Sequence, residues 1–159
     1  MPRPAQVLLP LSVPAARTAW TRTPGRHSPE GLREALLAGI RAEAWKRLES
    51  DALRIARHFR LTYSRLEPER KGVRSRYGVT FSDGTIRIRL SHATRGGVLK
   101  YSSLVNTLCH ELAHLKHFNH GKRFKKFYFE ILEWARREGI YRPSPSPDEA
   151  PEQLDLFGG

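Results

Sequence analysis

The pentapeptide His110-Glu111-Leu112-Ala113-His114, with His120 after five more residues, constrains this chain more than any other stretch. On a helix, residues four apart differ by only about 40° in azimuth and one turn in height. His110 and His114 therefore face one point, where a single Zn²⁺ can accept both imidazoles at about 2.0–2.1 Å. Glu111 stands one step round the helix, close enough to touch a water at such a centre without ligating the metal. A third protein ligand leaves the fourth tetrahedral position open, which separates a catalytic zinc site from a closed structural one. A plain helix face with two hydrogen-bonded imidazoles is the duller alternative, and the glutamate in register and the third histidine weigh against it. His120 is the expected third ligand, because Asn119-His120-Gly121 reads as a chain reversal after the helix. His117, three residues beyond His114, and the carboxylates of Glu130 and Glu133 on the next helical stretch stay open as alternatives.

The surrounding pattern supplies a platform for that motif. Ser102 and Ser103 are N-cap candidates, and Leu104, Leu108, Leu112 and Leu115 repeat at helical spacing, so the stripe anchors the motif helix in a core. Cys109 points about 100° away from His110 and reads as a small core residue. Upstream, Ser28 caps an amphipathic helix, or a broken pair of helices, over about 29–58, marked by Leu32, Leu36, Ile40, Ala44, Leu48, Leu53 and Ile55. Alternation predicts strands over 60–66, 77–81 and 85–90, the last two joined by the hairpin signal Asp83-Gly84. Phe124, Phe127, Tyr128, Ile131, Leu132 and Ala135 predict a core helix over 122–138, stopped by Gly139. The expected fold class is α+β: an N-terminal helix, a three-stranded antiparallel-type sheet, the motif helix and a C-terminal core helix.

A length of 159 residues suits one domain with a modest core, here 29–141. Residues 1–28 carry no Asp or Glu and read as a basic, largely disordered arm. Residues 142–159 read as a flexible acidic tail beyond the Pro143-Ser144-Pro145-Ser146-Pro147 linker. The net charge of +12 points to polyanions, nucleic acid first and an anionic membrane surface second, unless the arginines are simply solvated. The arm and the Lys122, Arg123, Lys125, Lys126 cluster are the expected electrostatic contacts. No apolar run reaches the roughly 20 residues of a membrane span, so no membrane partner is expected. A single cysteine excludes an intrachain disulfide, and Pro10 and Pro14 interrupt the one stretch that resembles an export signal. The expected location is the cytoplasm.

The stretch from Leu104 to Phe127, with HELAHLKHFNHGKRF at its heart, resembles the SprT-like, WLM and YgjP-like group of zincin metallopeptidases, and in spacing the WLM and YgjP-like branches most. The resemblance covers roughly residues 60–140. It implies zinc ligation by His110, His114 and His120, a general-base role for Glu111, and protein substrates. It also suggests proteolysis of proteins crosslinked to DNA. Metzincins share the final spacing, but His117 replaces their glycine, and Met1, the only methionine, cannot make their Met-turn. A family of bacterial ribosomal-RNA-maturing ribonucleases shares the histidine spacing but usually has glycine at the position of Glu111. A metal-dependent ribonuclease and a non-catalytic zinc-containing DNA adaptor are the rival readings, the second requiring a fourth protein ligand.

The tail carries a separate resemblance. Gln153-Leu154-Asp155-Leu156-Phe157 is similar to the peptide by which bacterial proteins bind the DNA polymerase sliding clamp. Leu154, Leu156 and Phe157 are apolar anchors on a flexible tether, suited to a preformed groove. For the site itself, the sheet edge expected to receive a substrate strand is 85–90, and Tyr101 and Tyr128 are candidates to stabilise an oxyanion.

Overall fold

The computed structural model describes residues 25–94 and 96–144, which form three helices and one small sheet. Helix α1 spans Pro29–Phe59; the Ser28 hydroxyl accepts the Gly31 amide at 3.0 Å and proline opens the first turn. Only its second half is buried, through Leu48, Asp51, Ala52, Ile55 and Ala56. The helix ends on Arg60 at φ 54°, where the Leu61 amide returns to the Ala56 carbonyl at 2.8 Å. This left-handed C-cap occupies the start of the strand expected over 60–66. Strand β1 consequently begins later, at Arg65–Pro68.

Strands β2 (Gly78–Thr80) and β3 (Thr85–Ile88) pair antiparallel, with Thr80 opposite Ile86. Their turn closes through Gly84, whose amide reaches the Phe81 carbonyl at 3.0 Å and whose φ is +82°. A glycine serves there because positive φ costs it nothing and because a Cβ would press on Ser64 at 3.2 Å. The order in the sheet is β1-β3-β2, and β1 runs parallel to β3, with Arg65 opposite Thr85. The sheet is therefore mixed rather than antiparallel throughout. The 85–90 stretch, expected as an edge, is the central strand, and β2 holds a free edge. This placement follows from burial: Ile86 and Ile88 are fully buried while β2 is only half-covered.

Helix α2 (Tyr101–His114) lies at the centre, against the sheet on one side and helix α3 (Lys122–Arg137) on the other. Leu104, Val105, Leu108, Cys109 and Leu112 are all fully buried. Its N-cap is Lys100, one turn's edge before the expected serines, and no side chain caps it. Tyr101 pins that end instead: its hydroxyl donates to Asp51 Oδ2 on α1 at 2.7 Å, and Arg47 stacks on its ring. After α2 the chain turns within Leu115–Gly121 and re-enters the core as α3, through Phe124, Phe127, Tyr128, Ile131 and Ala135. Gly139 terminates it, as the sequence suggests. Among the described residues no helix is long and apolar enough to cross a membrane.

Candidate active site

The last turn of α2 and the reversal before α3 bring three imidazoles together. The Nε2 atoms of His110, His114 and His120 stand 3.1, 3.1 and 3.0 Å from one another. Hydrogen bonding alone does not account for this triangle. Each ring nitrogen carries either a proton or a lone pair, so three mutual contacts always include one like pair. His114 Nδ1 lies 3.1 Å from the His117 carbonyl, which fixes Nδ1 as the donor and leaves the Nε2 lone pair facing its neighbours. Burial drives the His110 pKa down to about 3, with the His114 and His120 rings adding to the shift. Burial lowers His114 as well. Burial thus favours the neutral form of His110 and His114, which can donate an electron pair.

A tetrahedral zinc bound at about 2.0–2.1 Å spaces its ligand atoms about 3.3–3.4 Å apart. The observed triangle needs to open by only a few tenths of an ångström. No other His, Cys, Asp or Glu joins the cluster among the described residues. The site therefore has the three-ligand form that leaves room for water, not the four-ligand form of a closed structural site.

Glu111 projects beside this triangle and is only 4% exposed. Thr80 Oγ1, on β2, lies 2.7 Å from its Oε2 and 2.9 Å from its backbone carbonyl, so one threonine braces both ends of the residue. Burial pushes the Glu111 carboxyl up to about 7, while Thr80 and Arg76 pull it down. A carboxyl poised there can take up and return a proton near neutral pH. Gly78, also on β2, lets the strand come this close: a Cβ would stand 2.8 Å from Glu111 Oε1. Thr80 and Gly78 are absent from the sequence reading of the site. The glycine inside a strand pattern is the signal that could have found them, since it marks close backbone approach.

Phe124 is a second omission. Read from the sequence as core, it is fully buried, but its ring stacks on His114 at 4.4 Å and meets His110 and His120 edge-on at 4.8 and 4.9 Å. It is the apolar wall that sets all three rings.

Other candidates lie elsewhere. His117 contributes its carbonyl, and its ring packs edge-on to Phe127 at 5.8 Å. Glu130 and Glu133 line a different hollow, with His58 and Trp134. The hydroxyls of the two tyrosines are engaged with other groups: Tyr101 donates to Asp51 at the far end of α2, and Tyr128, whose ring meets His110 edge-on at 5.7 Å, donates to the buried Asn106. Burial holds both phenols well above their usual range. Residues 153–157, with Gln153, Leu154, Asp155, Leu156 and Phe157, lie outside the described residues, as does most of the 1–28 arm.

The three histidines and Glu111 open into a cleft of about 600 Å³ that Arg74, Arg76, Tyr77 and Arg89 also line. A buried motif helix beneath a small sheet, with an open cleft over three imidazoles, defines a zinc-dependent metallopeptidase. The family model for the YgjP-like metallopeptidase domain matches residues 12–138, and the chain belongs to that family. No curated protein sequence matches it. Among solved structures, Wss1 from Saccharomyces cerevisiae has a similar fold, with a TM-score of 0.55 at 20% identity over 60% of this chain and 79% of that one. A mutant of the same protein gives 0.56 at 19% identity, over 72% of this chain and 90% of that one. A mutant of Wss1 from S. pombe gives 0.50 at 23%, over 58% and 81%.

Proposed function

We propose that this peptidase holds zinc through His110, His114 and His120 and uses Glu111 as its general base, on protein substrates associated with or crosslinked to DNA. The observation that carries the reading is the convergence of three imidazole Nε2 atoms beside a buried, threonine-braced carboxyl in an open cleft. Zinc held there supplies a Lewis acid, which polarises a carbonyl and makes water nucleophilic near neutral pH. Glu111 takes the proton of the attacking water and returns it to the departing amine. Thr80 keeps the carboxylate turned into the cleft through both transfers. His117, through its carbonyl, holds the His114 tautomer that leaves Nε2 free to ligate. The free edge of β2 offers backbone groups to an extended peptide, which replaces 85–90 as the substrate-binding strand.

Recruitment belongs to the flanks. The excess positive charge supports electrostatic binding to DNA, through the 1–28 arm and the exposed Lys122, Arg123, Lys125 and Lys126 on α3. The sequence of residues 153–157 supports docking on the polymerase sliding clamp, and with it a cytoplasmic enzyme recruited to replication sites. The 29–141 body then works as the catalytic unit between a basic arm and an acidic tether.

The test is incubation of the zinc-loaded chain with a DNA-bound protein and with the same protein alone. The expected result is cleavage by the wild type, faster on DNA, and none by Glu111→Gln. Equal cleavage by Glu111→Gln sinks the assignment of the base. DNA affinity that does not fall with salt, by a log–log slope of about −0.9 per neutralised phosphate, sinks the electrostatic reading.

A further inference from the structure

Three arginines, Arg74, Arg76 and Arg89, line the same cleft as Glu111, and their pairing is uneven. Arg76 is neutralised by Glu69, Nε to Oε2 at 2.9 Å, with the Glu69 side chain almost fully buried. Arg74 and Arg89 have no carboxylate partner among the described residues. Of the residues lining this cleft, only Glu111 is acidic, and its carboxyl is engaged by Thr80.

Arg89 is not a loose surface cation. Its Nη1 donates to the Arg74 carbonyl at 3.1 Å, its guanidinium lies 4.2 Å over the Tyr77 ring, and its amide donates to the Tyr77 carbonyl at 2.8 Å. Its Nε is buried without a hydrogen-bond partner. A guanidinium bonded to one carbonyl and stacked on one ring, on a residue whose amide is itself paired, keeps its place while a peptide displaces the water of the cleft. It then needs an anion. Carboxylates match the planar guanidinium fork.

We infer that Arg74 and Arg89 form a subsite for a Glu or Asp side chain of the substrate, close to the scissile bond. The inference rests on the peptidase reading of the cleft and adds a preference to it. Arg74, Arg89 and His92 also line a second hollow of about 570 Å³, where Glu34 and Glu69 are paired with Arg41 and Arg76 while Arg70 and Lys71 lack carboxylate partners among the described residues. Acidic tracts of a substrate fit that lining better than a nucleic acid does. The cations share the cleft with the catalytic groups, and Arg89 already covers the face of Tyr77 that a base needs for stacking.

The test uses the full-length, zinc-loaded Glu111→Gln chain and neutral, extended peptides in which Glu, Gln or Lys is scanned through each position. Calorimetry is expected to find one position where Glu binds about five-fold tighter than Gln and Lys binds weakest, as a partly screened charge-assisted contact gives. Arg74→Glu is expected to invert that order; its side chain is exposed and its carbonyl still meets Arg89. Wild-type cleavage should follow the same order through KM. Equal binding of the three peptides at every position overturns the inference, as does an unchanged order in Arg74→Glu. Loss of oligonucleotide binding in that variant, with peptide order unaltered, also overturns it and gives the cations to nucleic acid. A Glu preference in binding with no cleavage of any peptide by the wild type upholds the subsite and sinks the peptidase reading instead.

Discussion

Replacing Gly78 by alanine puts a methyl group 2.7 Å from Thr107 Cγ2 and 2.8 Å from both Cγ and Oε1 of Glu111. Contacts that short force β2 off α2, and overpacking of this kind costs about 1–3 kcal/mol. For a chain of this size each kcal/mol lowers Tm by about 2–4 °C, so the expected fall is roughly 2–12 °C. Activity should fall further than stability explains, because the same shift moves Thr80 away from the Glu111 carboxyl it braces at 2.7 Å. Thermal unfolding of the zinc-loaded protein and hydrolysis of an unstructured protein substrate measure the two effects at temperatures where both proteins are folded. The double variant Gly78→Ala, Thr107→Ser separates them. Serine lacks the Cγ2 methyl, so part of the Tm should return while activity stays low, since the Glu111 contact is untouched. A Gly78→Ala protein with unchanged Tm and unchanged activity would falsify the close-approach argument. Lost stability with full activity would show that β2 does not position the glutamate.

Glu111→Gln is expected to abolish hydrolysis while metal analysis still finds close to one zinc per chain; loss of zinc would place the glutamate among the ligands. His120→Ala should lose most bound zinc and His117→Ala should retain it, and the reverse pattern would identify the wrong third ligand. Chelating the zinc should lower Tm, by roughly 5–10 °C relative to protein held at about 100 times its dissociation constant, and readdition should restore it; no shift would mean the histidines do not carry a metal that matters to folding. Phe124→Leu should cost about 1–3 kcal/mol, through the small cavity it leaves, and speed zinc loss to a chelator at temperatures where the variant is folded, because leucine cannot stack on the imidazoles; unchanged zinc release would return Phe124 to a purely core role. A peptide of residues 150–159 should bind the sliding clamp at about micromolar strength, and Leu156→Ala with Phe157→Ala should erase binding of the whole chain while leaving hydrolysis of a free substrate intact; calorimetry showing no wild-type binding removes the replication link.

What the sequence determined by itself was local. Two histidines four apart face one way on any helix, so His110 and His114 were legible from spacing, and Glu111 with them. Helix α1 and helix α3 were legible because apolar periodicity, a Ser-Pro start and a glycine stop are properties of a segment and its immediate neighbours. Tertiary structure decided whatever depends on which segments meet. Alternation at 60–66 looks the same in a strand and in a capped chain reversal, and only the extension of α1 to Arg60 chose between them. Alternation also carries no pairing partner, so β1 running parallel to β3, and β2 rather than 85–90 lying at an edge, could not be read from pattern. The bracing of Glu111 by Thr80, across 31 residues, and the wall that Phe124 makes against three imidazoles are long-range contacts of the same kind. A residue's type shows that it can be buried or can donate a hydrogen bond; the packing of β2 and α3 on either side of α2 decides to which atom.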